Sequence, residues 1–150
     1  MTLSNKKAEC IEEAKSLYMN GYNCAQSVLL AIQKFWDVDK PVEPKTASAL
    51  GGGVGDRGSL CGAVTGGAIA IGLKYGSNNP ASQERRKATS LALEFLDRFN
   101  QKCGGTECIN LLGYDLTNPA ELEIVKNRKE LKQKCAQYVG AAVEILENLQ

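Results

Sequence analysis

Residues 60–75 read LCGAVTGGAIAIGLKY, and the way this stretch is resolved decides the fold. From Leu60 to Leu73 it is almost wholly apolar, interrupted by Thr65 and glycines at 62, 66, 67 and 72. A membrane-spanning helix needs about 20 consecutive apolar residues, so the run is too short and too broken to cross a bilayer. It carries no alternation of period two, which argues against a half-buried strand. Gly62 and Gly66 lie four apart, as do Ala68 and Gly72. On a helix such positions share a face without bulk, against which another helix backbone can pack closely. The stretch is therefore expected to be a tightly packed helix with Cys61 at its N-terminal mouth.

Outward from this segment the chain reads as more helices. Toward the N-terminus, Leu3, Cys10, Ile11, Ala14, Leu17 and Tyr18 recur at helical spacing up to a stop at Asn20-Gly21. Asn23 can cap a second helix from Cys24 to about Trp36, followed by the loop VDKPVEP, a short helix at 45–50 and the glycine-dense GGGVGDRGS. Toward the C-terminus, Asn79-Pro80 looks like a cap and first helical residue, with a helix running to about Lys102 before Gly104-Gly105. Thr106 can cap the short CINLLG. Asn118-Pro119, with Glu121 three residues past the cap, opens a last helix expected to reach almost to Leu149 and to bend around Asn127. The expected fold class is all-α: one domain over residues 1–150, a bundle of five or six helices with a glycine-rich loop before a small-residue helix.

Composition narrows the chemistry. With 43% hydrophobic and 23% charged residues and a formal charge of +1, the 150-residue chain has no bulk field to attract nucleic acid or anionic lipid. The N-terminus MTLSNKKAECIEEAK has no apolar core of a targeting peptide, so a cytoplasmic location is expected. There is no histidine. That removes histidine-based hydrolase schemes, histidine-ligated haem and mixed cysteine/histidine zinc sites. There are six cysteines: Cys10, Cys24, Cys61, Cys103, Cys108 and Cys135. In a reducing compartment such a number points to metal binding or redox chemistry before a structural disulfide framework.

Three of the cysteines follow residues that favour helix caps, in Asn23-Cys24, Ser59-Leu60-Cys61 and Thr106-Glu107-Cys108. Unpaired N–H groups and the positive end of the helix dipole favour thiolate there, so lowered pKa values are expected at Cys24, Cys61 and Cys108. Cys135 instead falls on the apolar stripe of the last helix with Leu131, Tyr138, Ala142 and Ile145. Any one buried cysteine is as readily a small apolar side chain. Four together point to a shared site.

Other motifs are weaker. GVGDRG at 53–58 fits GxGxxG literally, but no strand precedes it and no βαβ unit surrounds it, so no nucleotide cofactor is expected. The CGGTEC pair at 103–108 could chelate or form a disulfide. No CxxC run marks a zinc ribbon or a common iron–sulfur protein, so ligands would have to assemble from distant parts of the chain. KNRKELKQK at 126–134 reads as a solvated helix face.

NCAQSVL at 23–29, CGAVTGGAIAIGLKYG at 61–76, the stretch from Cys108 through INLLGYDL, and Cys135 before a hydrophobic helix end together resemble the C_GCAxxG_C_C family of redox-active proteins. The resemblance implies that Cys24, Cys61, Cys108 and Cys135 are the family's four characteristic cysteines, with Cys10 and Cys103 additional to this chain. It also implies a link to redox or transport systems, largely in anaerobic microbes. The leading expectation is that these four cysteines converge to hold a metal centre for electron transfer, an iron–sulfur cluster before zinc, since an all-thiolate set suits soft metals. The alternatives are a metal-free thiol/disulfide oxidoreductase with Cys61 as attacking thiolate and Cys24 or Cys108 as resolving thiol, and an accessory module carrying a metal or sulfur species to a transporter or larger oxidoreductase. The expected partner is a redox protein or transport system, and the small-residue helix could equally pack against a second copy of the chain.

Overall fold

The computed structural model describes residues 1–149. The apolar periodicities become α1 (Leu3–Met19), α2 (Cys24–Phe35), a 3₁₀ helix (Pro44–Leu50), α3 (Gly62–Tyr75), α4 (Gln83–Cys103), α5 (Cys108–Leu112), α6 (Pro119–Asn127) and α7 (Lys129–Glu147). Among the described residues there is no strand, only an isolated antiparallel bridge between Leu60 and Glu107. The all-α expectation holds, and the number of helices, eight among the described residues, exceeds the expected five or six.

The differences have local causes. The last helix is broken, not bent: Arg128 is extended at φ −92°, ψ 120°. Asn127 just before it turns its side-chain amide back onto the Glu123 carbonyl and carboxylate, competing with helix propagation. Asn79 caps a turn, accepting from Ala81 N–H, and leaves the start of α4 to Ser82, which accepts from Arg85 N–H. Neither Ser59 nor Thr106 caps with its side chain: Cys61 itself is the N-cap of α3 and Glu107 that of α5. Ser59 and Thr106 instead use their carbonyls to bind Cys108 N–H and Cys61 N–H.

The glycine face of α3 is where the bundle is tightest. A methyl group on Gly66 would lie 2.3 Å from the Ala25 carbonyl oxygen, and one on Gly67 would lie 2.5 Å from the Phe95 ring. The α2 backbone thus packs directly on α3 at Gly66, and α4 packs at Gly67. Gly72, on the same helix, meets nothing within 4 Å. Phe95 and Phe99 of α4, Leu29 and Ile32 of α2, Ile71 of α3 and Leu146 of α7 fill the core around this junction. No helix among the described residues is long and apolar enough to cross a membrane.

The core also contains a carboxylate. Glu147, 9% exposed at the end of α7, has both carboxylate oxygens buried without a hydrogen-bond partner. Burial, with Glu144 adding to it, pushes its pKa up to about 7, against the opposing influence of Cys10 and Lys7. A carboxyl raised in the folded state is most favourable to folding below its ordinary value, and that contribution is lost as pH rises through about 7. Replacing Glu147 by Gln is expected to flatten this dependence and to raise stability by about 1–2 kcal/mol above neutral pH, read from urea midpoints across a pH series. In the same assay Gly66→Ala is expected to cost about 3 kcal/mol by overpacking, whereas Gly72→Ala, on an exposed helix surface, is expected to gain about 0.5–1 kcal/mol.

Candidate functional site

Cys24 is the first residue of α2, fixed by a reciprocal cap. Asn23 Oδ1 accepts from Gln26 N–H at 2.8 Å, and Gln26 Oε1 accepts from Asn23 N–H at 3.0 Å. The Asn23 amide also donates to the Ala47 carbonyl at 3.1 Å, tying this helix start to the 3₁₀ helix. The start of α3 lies alongside: a methyl group on Gly62 would be 3.0 Å from Cys24 Cβ. Small residues therefore do bring a neighbouring segment to Cys61.

Cys61 and Cys108 are set by the bridge between Leu60 and Glu107. Cys61 N–H donates to the Thr106 carbonyl at 2.8 Å and Cys108 N–H to the Ser59 carbonyl at 2.7 Å. Cys61 thus stands opposite Thr106, and Cys108 two residues further on is its diagonal neighbour on the same face, a relation that separates Cα atoms by about 7–8 Å. Cys135 comes from α7. One turn later Tyr138 donates its hydroxyl to the Leu111 carbonyl at 2.9 Å, docking α7 on α5.

All four cysteines line one concave pocket of about 420 Å³, with apolar wall residues from Leu111 to Val125 and with Asp56, Lys126 and Lys132 also on its wall. A space of this size suits a small molecule or cofactor. Cys10 lies elsewhere, its thiol donating to the Ala31 carbonyl at 3.5 Å. Cys103, half-buried at the end of α4, is outside the pocket lining.

The thiols are not electrostatically equivalent. Burial pushes Cys61 up to about 11, overriding N–H donors from Ala63 and Val64. Burial and the neighbouring Cys61 and Cys135 push Cys108 up to about 12. Cys24 is raised well above the usual thiol range, first because it donates to Cys135 and then by burial. The lowered values expected at the three helix starts are therefore not found. The one lowered thiol is Cys135, held at about 7 by the hydrogen bond from Cys24 against the cost of burial, with the Tyr18 phenol as a second donor and Lys134 nearby. Tyr18 is held protonated above its ordinary range by burial and by Cys24 and Cys135.

Three further members of the site were not singled out in the sequence. Tyr18 sits on the apolar stripe of α1, and the signal was available: a phenol on a buried stripe requires a hydrogen-bond partner. Lys126 and Lys132 belong to a stretch read as a solvated face. Both side chains are exposed, yet both line the pocket. The glycine-dense 51–58 stretch makes no nucleotide loop. Gly52, Gly53, Val54, Gly55 and Asp56 all have positive φ, from 58° to 71°, forming a short left-handed turn against the pocket. Each non-glycine residue in that conformation costs about 1–2 kcal/mol, so Val54 and Asp56 hold strain beside the thiols.

Among the described residues, no three cysteine or carboxylate side chains are grouped tightly enough to hold a single metal ion. The arrangement suits thiol chemistry, because Cys135, the one thiol shifted down, has a second thiol packed beside it. Alkylation of the reduced protein with iodoacetamide, mapped by mass spectrometry, is expected to modify Cys135 first, with a rate that rises through about pH 7. Cys61 and Cys108 are expected to stay unmodified until well above that range. Tyr18→Phe is expected to shift the Cys135 profile to higher pH.

Residues 22–149 match the family model described as "Putative redox-active protein (C_GCAxxG_C_C)". No curated protein and no solved structure matches the chain. The matched span holds the four pocket cysteines and excludes Cys10, and on that match the chain belongs to the C_GCAxxG_C_C family.

Proposed function

We propose that the protein is a thiol/disulfide redox protein whose working pair is Cys135 and Cys24. The observation that supports this reading is their contact: Cys24 packs against Cys135 in one cluster on the pocket wall, and the two thiols shift in opposite directions, Cys135 down and Cys24 up. Cys61, the attacking thiol expected from sequence, is replaced in that role by Cys135.

The chemistry balances with a disulfide as oxidant. The Cys135 thiolate attacks one sulfur of R–S–S–R; that bond breaks, one R–S⁻ departs, and Cys135 carries a mixed disulfide. Cys24 gives its proton to the departing thiolate and attacks the Cys135 sulfur. The second R–S⁻ leaves and takes a proton from water. The substrate gains two electrons, which the Cys24–Cys135 pair loses on becoming a disulfide. Tyr18 stabilises the thiolate before the first attack. Such a pair requires a reductant to return it to the dithiol, which fits a cytoplasmic setting and an electron partner.

A second reading has its own observation. Exchange at Cys135 and Cys24 leaves Cys61 and Cys108 without a part, yet all four thiols face one space. The donor set suits an iron–sulfur cluster, which would be held by Cys24, Cys61, Cys108 and Cys135 and would supply one-electron transfer when bound. A single zinc ion fits less well, given the spacing of the thiols.

The deciding experiment uses protein purified without oxygen. Iron, zinc and acid-labile sulfide are measured per chain, and the metal-free fraction is treated with bis(hydroxyethyl) disulfide and mapped by mass spectrometry. The expected result is little metal, a Cys24–Cys135 disulfide in the native chain, a mixed disulfide on Cys135 in Cys24→Ser, and loss of both products in Cys135→Ser. Iron and sulfide in matched amounts would instead make the four cysteines cluster ligands.

A further inference from the structure

Three consecutive main-chain donors border the cysteine pocket without a partner. Gly51, Gly52 and Gly53 line it, and none of their N–H groups reaches an acceptor among the described residues. The next six residues, Val54 to Ser59, all have their N–H groups bonded within the protein. Gly53 is buried. Gly51 and Gly52 are half-buried. A buried main-chain donor such as that of Gly53 is rarely left unmet, and a ligand or ordered water completes it. Those six bonds hold the turn in this shape against the strain at Val54 and Asp56, with Gly52 and Gly53 in the left-handed region. Substitution there is also excluded by the backbone, since a methyl group on Gly52 would lie 2.7 Å from Asp56 Cα and one on Gly53 2.5 Å from Ser59 N.

The position of these donors relates them to the thiols. Gly51 packs on Asn23, the residue before Cys24, since its added methyl would be 2.9 Å from Asn23 Cβ. The charges around the pocket have one sign in excess. Lys126 and Lys132 line it against a single acid, Asp56, and Asp56 is already shared with Lys126 at 3.8 Å. Lys132 forms no ion pair among the described residues.

We infer that Gly51, Gly52 and Gly53 form an anion-binding hole in the thiol pocket, with Lys132 at its rim, and that the substrate is a small disulfide bearing carboxylates. The inference rests on the thiol/disulfide reading for the sulfur chemistry and on the unpaired N–H groups and charge for the carboxylate. One carboxylate of the substrate accepts from the glycine N–H groups, which sets the disulfide bond beside Cys24 and Cys135. The concave pocket of about 420 Å³ suits a molecule of this size.

Two measurements on the full chain test this separately from the redox reading. In the first, suberate, a dicarboxylate with the chain length of dithiodipropionate but no sulfur, is titrated into reduced protein, and backbone amide resonances are followed. The expected result is a saturable downfield shift of the Gly51, Gly52 and Gly53 amide protons, absent with the matching neutral diol. In the second, the reduced protein reacts with dithiodipropionate, neutral bis(hydroxyethyl) disulfide and cationic cystamine. The expected order is anionic, neutral, cationic, with about tenfold between the first two, the factor supplied by one charge-assisted hydrogen bond. Lys132→Gln is expected to shrink that ratio. Glycine amides unmoved by suberate, or equal rates with all three disulfides, would overturn the anion hole while leaving exchange at Cys135 standing. Amide shifts with no Cys135-dependent reaction would leave the hole standing and overturn the exchange.

Discussion

The contact of the α3 glycine face with the α2 backbone is the constraint on which the rest depends. At Gly66 the space left for a side chain is nil, since a methyl group would stand 2.3 Å from the Ala25 carbonyl oxygen. Because the two backbones meet there, the starts of both helices lie side by side, and Cys24 and Cys61 come together without any bond between them. The same approach places Asn23 where its amide reaches the Ala47 carbonyl, so the 3₁₀ helix and the glycine turn after it are held against the pocket. α4 and α7 then close the bundle over the other side, through Phe95 at Gly67 and through the buried face of Val139, Val143 and Leu146. A single bulky residue in the α3 face would separate the sites from one another before it disturbed any thiol directly.

Within the pocket, burial outweighs the helix ends. A helix N-terminus favours a negative charge by about 0.3–1 kcal/mol, up to about 2 kcal/mol in partly buried geometry, whereas removing an ion from water costs several kcal/mol. Cys61 shows the outcome: the N–H groups of Ala63 and Val64 at the start of α3 favour its thiolate, and its pKa is still pushed up to about 11 by burial. Cys135 has no helix end to help it. It has instead two donors whose own protons stay in place, the Cys24 thiol and the Tyr18 phenol. What sets Cys135 apart is that the influence of Cys24 outweighs its burial, whereas at Cys61 burial outweighs the main-chain donors.

Most of the helices were legible in the sequence, because apolar spacing and the stops at Asn20-Gly21 and Gly104-Gly105 are local signals. The convergence of Cys24, Cys61, Cys108 and Cys135 on one pocket was also within reach, since each stood in a distinct helical context. What escaped were effects that depend on neighbours distant in the chain. Ser59 and Thr106 have the chemistry of caps, but a backbone bridge occupies both residues and makes Cys61 and Glu107 the caps. Asn127 carried a signal of bending, and only its bonds to Glu123 turn the bend into a break. The ranking of the thiols could not be read from caps at all, because it follows first from Cys24 and then from Tyr18, each more than a hundred residues before Cys135. Lys126 and Lys132 looked like part of a solvated face, and so they are, yet that face borders the pocket.

The number of negative charges the pocket can hold separates its two chemistries. Every pair among Cys24, Cys61, Cys108 and Cys135 is close enough for one thiolate to raise the pKa of another or to be raised by it. Left to itself, the pocket therefore favours a single thiolate, and Cys135 takes that charge because its donors offset the burial. Disulfide exchange uses one thiolate at a time and passes the proton of Cys24 onward as the charge moves, so it needs nothing the pocket lacks. Ligation of an iron–sulfur group requires all four thiols deprotonated and must release their protons on binding. The positive charge of the metal would have to offset that cost, with the unpaired glycine N–H groups and Lys132 available to bond the sulfur and balance what is left. The same three donors thus serve either occupant, whereas the contact of Cys24 with Cys135 has a direct use only in exchange.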